Sequence, residues 1–288
     1  EIDYVLDKKG NVYLTKGKDR ITSGEYYPCV VSHIDTVHRS HIDLINDKIR
    51  LDIVENVKGD LIAYNPLTNE QTGIGGDDKC GVFVCLSLFL EMDVLKGAFF
   101  VEEEIGMLGS REACDEFFKN VGYAIQFDAP SANWITEICS GVKIFDDEFK
   151  DNVKTVLSEG GYTNFSNDPF TDVNQLAQKF DFNCINLGCG YYQQHRDTEY
   201  VVIDEVKKSL HMGIKLIHHL GINDYKRNDI EEVEEIKEDD SWFKYLENDY
   251  DIVSDKIVDS VIDMYEDGFN PEDIKMYISD LLEIESYG

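Results

Sequence analysis

Short apolar runs alternate with polar, glycine-rich stretches along this chain, and their spacing predicts strands and helices in turn. Tyr4–Leu6 and Val12–Thr15 flank a Lys-Lys-Gly-Asn turn, the pattern of a hairpin over residues 3–16. Tyr27 to Ser32 is an apolar strand that runs straight into His33. Residues 49–54 and 61–64, on either side of Val57-Lys-Gly-Asp60, suggest a second hairpin. A helix is expected over 79–92, then a strand from Gly97 to Val101 that ends in three glutamates. A further helix is expected from Ser110 to near Asn120, and the strand Tyr123–Phe127 stops at Asp128. Phe182–Leu187 reads as another strand, leading through Gly188 and Gly190 towards His195. Ile203 to Leu220 has helical periodicity and is closed by Gly221.

Strand, polar residue, helix is the recurring order. It predicts an α/β fold, with a mixed, mainly parallel central sheet flanked by helices and polar residues gathered at the strands' carboxyl ends, where such sheets bind ligands. The expected domain is residues 1–222. The composition changes near residue 223: residues 229–288 hold 21 acidic and 4 basic side chains. Residues 229–240 read as an acidic linker extending into solvent. Beyond it, the stripe Val253, Ile257, Val261, Tyr265 and the stripe Ile274, Tyr277, Ile278, Leu281 predict a small helical module that completes residues 223–288.

Charge and cysteine usage narrow the class. A net charge of −31 argues against nucleic acid or an anionic membrane as partner, since both need basic patches. The seven cysteines are scattered through apolar segments without a Cys-x-x-Cys pair. That indicates neither a cysteine zinc site nor a disulfide framework, and suits a reducing cytoplasmic setting. The sequence shows neither a signal-peptide pattern nor a membrane-length apolar run.

Gly73-Ile-Gly-Gly-Asp-Asp-Lys-Cys-Gly81 is the chemical focus, a glycine loop that plants carboxylates at the start of an apolar helix. Around it the strand ends supply what a two-metal hydrolytic site requires. His33 offers an imidazole, with Asp35 two residues on to orient it. Asp77 suits a bridging carboxylate, Glu104 and Asp128 offer one terminal carboxylate each, and His195 completes the second metal. Glu103 is the spare acid, placed to serve as general base. Asp78 reads as a helix N-terminal partner, Glu102 as solvent-facing, and His38 and His41 as surface residues. Cys80 has no base placed for it and reads as core.

In order and context, His33-Ile-Asp35, Gly75-Gly-Asp-Asp-Lys79, Glu103-Glu-Ile-Gly106, Asp128 and His195 resemble the zinc-dependent exopeptidase superfamily. That group includes peptidase T, carboxypeptidase G, acetylornithine deacetylase and the single-domain aminopeptidases. The likeness runs from about residue 26 to 220, and Thr171-Asp-Val-Asn174 and Glu199-Tyr-Val resemble lesser signatures of the group. It implies that His33 and Asp128 hold one metal, that Glu104 and His195 hold the other, that Asp77 bridges them and that Glu103 is the base. The implied cofactors are two divalent ions, zinc first, with cobalt or manganese as substitutes. Peptidase T-like relatives insert a lid and dimerisation domain between the positions of Asp128 and His195; only 67 residues separate them here. A lid-type dimer is therefore not expected, and the chain reads as a monomer. Arg196 stands where relatives tend to carry threonine.

The expected activity is hydrolysis of an amide bond at a peptide end, aminopeptidase-like, on a small peptide. An N-acyl amino acid deacylase or a carboxypeptidase of the same group is the alternative. A non-catalytic acidic interaction protein on the same fold is the rival from another class.

Overall fold

The computed structural model describes residues 2–37, 42–43, 48–49, 51–168 and 170–228. The expected acidic linker and helical module lie outside these residues, as do His38 and His41. In chain order, the first half comprises β1 (Ile2–Leu6), β2 (Val12–Lys16), β3 (Tyr27–His33), β4 (Ile42–Asp43), β5 (Lys48–Ile49), β6 (Asp52–Glu55), β7 (Leu61–Tyr64) and β8 (Gln71–Thr72). α1 (Gly76–Glu91), β9 (Leu95–Phe100), α2 (Leu108–Arg111), α3 (Asp115–Phe118) and β10 (Val121–Ala129) follow. Then come β11 (Trp134–Cys139), β12 (Val142–Lys143), α4 (Asp147–Glu159), β13 (Asn164–Asp168) and α5 (Asp172–Lys179). The described chain ends with β14 (Asn183–Gly188), β15 (Tyr191–Tyr192), β16 (Tyr200–Val201) and α6 (Ile203–Leu220).

The nine-stranded main sheet runs β1-β2-β9-β3-β10-β14-β11-β12, with β13 beside β11. Its centre, β9-β3-β10-β14, is parallel, whereas β1, β2 and β12 join antiparallel and β14 meets β11 antiparallel. The sheet is mixed with a parallel core. Every residue of β3, β9 and β14 is buried, as expected for strands covered on both faces. α1 packs on β3, β10 and α6, and α5 packs on β14, β3 and β10. A five-stranded sheet, β15-β16-β7-β6 with β8 beside β7, carries the second expected hairpin in register Asp52↔Tyr64.

The helix expected from Ser110 to Asn120 is instead two short turns, α2 and α3. Tertiary partners take the backbone groups that a continuous helix would use. The Cys114 N–H donates to the Tyr13 hydroxyl (3.2 Å), and the Lys179 ammonium takes the Ala113 carbonyl (2.6 Å). Phe117 and Phe118 turn into an aromatic cluster with Tyr13, which outweighs local propensity.

The stretch between Asp128 and His195 is spent on the core itself: β11 to β14 lie in the main sheet, β15 in the second, and α4 and α5 fall between the strands. α6 spans Ile203–Leu220, and the Gly221 N–H closes onto the Ile217 carbonyl (2.8 Å). The backbone continues to bond to this domain beyond α6, through Tyr225 N–H to Gly122 O and Arg227 N–H to Asp181 O.

Candidate active site

Five candidate ligands arrive at one edge from five places in the chain. His33 is the last residue of β3 and Asp128 the penultimate residue of β10. Glu103 and Glu104 follow β9, and Asp77 opens α1, whose residues 77 and 78 depart from helical backbone angles. His195 stands between β15 and β16 in a left-handed conformation, φ 63°. Gly76 is needed for this closeness: a Cβ there would meet Val201 Cγ2 at 2.8 Å and Tyr191 Cβ at 2.9 Å.

Asp77 lies between the two imidazoles. Its Oδ1 is 2.9 Å from His33 Nε2, and its Oδ2 is 3.3 Å from His195 Nε2. Each imidazole also faces a second carboxylate: His33 Nε2 is 3.6 Å from Asp128 Oδ1, and His195 Nε2 is 2.9 Å from Glu104 Oε2. Glu103 Oε2 stands 3.9 Å from His33 Nε2, at the edge of the set.

The supporting residues are as specific. The His33 ring meets the Asp35 backbone oxygen at 3.2 Å and its carboxylate at 3.5 Å. The Asp35 carboxylate has a second task that the sequence did not reveal: its two oxygens accept the Glu103 and Glu104 N–H groups, each at 3.2 Å. Asp78 accepts the Gly81 N–H (3.0 Å), a capping bond in line with its expected place at the helix start. It is also buried, accepts from the Ser32 hydroxyl (2.5 Å) and groups with His33 and Asp128. Glu199 accepts the Gly75 and Asp77 N–H groups at 2.6 and 3.0 Å. Cys80 is buried core, and Glu102 is ion-paired to Lys9 (2.5 Å).

So many buried carboxylates distort one another's protonation. Burial alone would lower the His33 pKa, but Asp128, Asp35 and Asp77 outweigh it and hold the imidazole well above its usual value. His195 likewise overcomes burial through Asp77 and Glu104, rising to about 11. Burial works to raise Asp77, yet the two imidazoles pull it below the ordinary carboxylate range. Burial, reinforced by like charges, raises Glu103, Glu104, Asp78 and Asp128. Such a set calls for added positive charge.

The donor set fits divalent ions. The groups His33, Asp77, Glu104 and His33, Asp78, Asp128 each offer ligand atoms within 4.8 Å of one another. His195 Nε2 and Glu104 Oε1 are buried without a hydrogen-bond partner. His195 Nε2 thus lies close to two carboxylates but is aligned for a hydrogen bond with neither. Imidazole nitrogen with carboxylate oxygen is a ligand mixture that zinc accepts.

No protein-family model matches the chain, and no curated protein matches its sequence. Solved structures do match. Aminopeptidase PepT from Bacillus cereus aligns with TM-score 0.59 at 12% identity, over 76% of this chain and 89% of that one. TET1 peptidase from Pyrococcus horikoshii, which can assemble into a tetrahedron or a large octahedral shell, aligns with TM-score 0.55 at 13% identity, over 74% and 88%. A tripeptidase from Staphylococcus aureus gives 0.54 at 13% identity, over 75% and 88%. At these identities the likeness shows the fold alone, a mixed sheet with a parallel centre flanked by helices, shared with these peptidases.

Proposed function

With this peptidase fold as the frame, we propose that the chain is a metal-dependent hydrolase that removes residues from the amino end of small peptides. The observation that carries the reading is the placement of Asp77, one oxygen towards each of two histidines that each face a further carboxylate. His33 and Asp128 would hold one ion, Glu104 and His195 the other, with Asp77 shared between them. Two ions held there supply Lewis-acid polarisation of the scissile carbonyl and acidification of the attacking water.

The chain's own residues do the rest. Glu103 takes a proton from the attacking water as the new C–O bond forms, and returns it to the leaving nitrogen as the C–N bond breaks. Burial raises its pKa, which makes the ionised carboxylate a stronger proton acceptor. Asp35 fixes the backbone of Glu103 and Glu104, so the base and a ligand keep one spacing. The choice of the amino end of the peptide is supported by the likeness of fold to the aminopeptidase PepT.

The test is an assay of the zinc-, cobalt- or manganese-loaded chain on a free dipeptide, its N-acetylated form and its C-amidated form. The expected result is hydrolysis of the free and C-amidated peptides and loss of activity on acetylation. Preference for the acetylated form would turn the reading to a deacylase. A chain with two bound ions and no hydrolysis of any amide would leave the non-catalytic rival.

A further inference from the structure

Gln126 is fully buried in β10, and every polar atom of its side chain is committed. Its Oε1 accepts from the Thr171 hydroxyl (2.7 Å) and the Val173 N–H (2.9 Å), both at the start of α5. Its Nε2 donates to Asp128 Oδ2 (3.0 Å). The polarity is fixed, because a backbone N–H can only donate: oxygen must face Val173, so the amide NH2 must face Asp128. Asp128 is gripped on its other sides as well. Its N–H donates to Asn186 Oδ1 (2.9 Å), its carbonyl accepts from Asn186 Nδ2 (2.8 Å), and its Oδ1 accepts from the Tyr191 hydroxyl (3.1 Å). With Oδ2 taken by Gln126, Oδ1 is the oxygen left on the His33 side, 3.6 Å from Nε2.

We propose that Gln126 is a positioning residue that couples the start of α5 to Asp128 and holds that carboxylate with Oδ1 alone towards the ion beside His33. This rests on the metal reading above and adds to it a role for the Thr171–Asn174 segment, which touches no ligand directly in these bonds. Hydrogen-bonded partners of metal-binding carboxylates fix ligand orientation, and losing one typically costs 10- to 100-fold in metal affinity. Gln126 makes its contribution by holding Oδ2, so an apolar side chain of similar size leaves that oxygen without its donor while Tyr191 still holds Oδ1.

The experiment titrates cobalt(II) into metal-free wild type, Gln126→Leu, Thr171→Val and Thr171→Ser, following the visible absorption of each bound ion and the melting temperature. The wild type is expected to bind two ions. Gln126→Leu should weaken one of them by about 10- to 100-fold and leave the other unchanged. Thr171→Val should weaken the same ion several-fold, and Thr171→Ser, which keeps the hydroxyl, should restore it. If Gln126→Leu does not fold, the Thr171 pair decides. Wild-type affinities for both ions in Gln126→Leu and Thr171→Val would overturn the coupling while leaving the metal reading intact. A wild-type chain that binds no cobalt would overturn both.

Discussion

Glu199 holds the backbone of Asp77 from 122 residues away: Oε1 accepts the Asp77 N–H at 3.0 Å while Oε2 accepts the Gly75 N–H at 2.6 Å. The segment that carries His195 and the loop that carries Asp77 are thereby locked together, which is why one carboxylate can meet both histidines. Glu199→Gln keeps one acceptor and sets an amide NH2 against the other N–H. A buried N–H without an acceptor costs about 1–3 kcal/mol. Urea unfolding of the metal-free variant should show that loss; an unchanged midpoint and slope would refute the clamp.

Asp172 predicts a pH dependence. It is fully buried, and burial, only partly offset by His33 and the Ser110 hydroxyl, pushes its pKa up to about 7 from 3.8. The folded chain therefore binds this proton more tightly than the unfolded chain. The stability it confers is fully present below pH 3.8 and is lost as pH rises through about 7. The rise corresponds to at most about 4 kcal/mol. Asp172→Asn cannot ionise, so the metal-free variant should match wild type near pH 4 and exceed it at pH 8. Parallel stability curves for the two proteins would contradict this.

Removal of residues 229–288 should leave catalysis largely intact. All the candidate ligands, the base and the Glu199 clamp precede that stretch, and its removal changes the net charge from −31 to −14. The expected kcat/KM on a dipeptide and on a longer peptide stays within a few-fold of the full chain. A tenfold loss, about 1.4 kcal/mol, would mean that the acidic segment takes part in substrate binding.

His33 and Asp128 stood out in the sequence because each is a polar residue near the end of an apolar run, His33 ending β3 and Asp128 nearing the end of β10, and Asp77 because it follows a glycine loop and precedes such a run. α6 was legible for a similar reason, an uninterrupted 3.6-residue period with a glycine stop. Gln126 was not. A glutamine inside an apolar strand gives no sign of partners at Thr171 and Val173, which lie three strands and a helix further along the chain. β11, β12, β13 and α4 were missed as well. β11 mixes buried with half-buried positions, β13 has half-buried and exposed positions only, neither alternates cleanly, and β12 is only two residues long. The division of the 110–120 helix depends on Tyr13 and Lys179, neither of which is near it in sequence.

The most direct test of the proposed chemistry is the turnover of metal-loaded Glu103→Gln on a dipeptide that the wild type cleaves, with metal content and melting temperature measured on the same samples. Glutamine keeps the size and the backbone bond to Asp35 but cannot accept the proton from water. A positioned general base contributes about 10²- to 10⁴-fold, so the rate should fall at least a hundredfold while two ions and the wild-type melting temperature are retained. A rate equal to wild type, with both ions bound, would contradict the assignment of Glu103 as the base and the mechanism built on it.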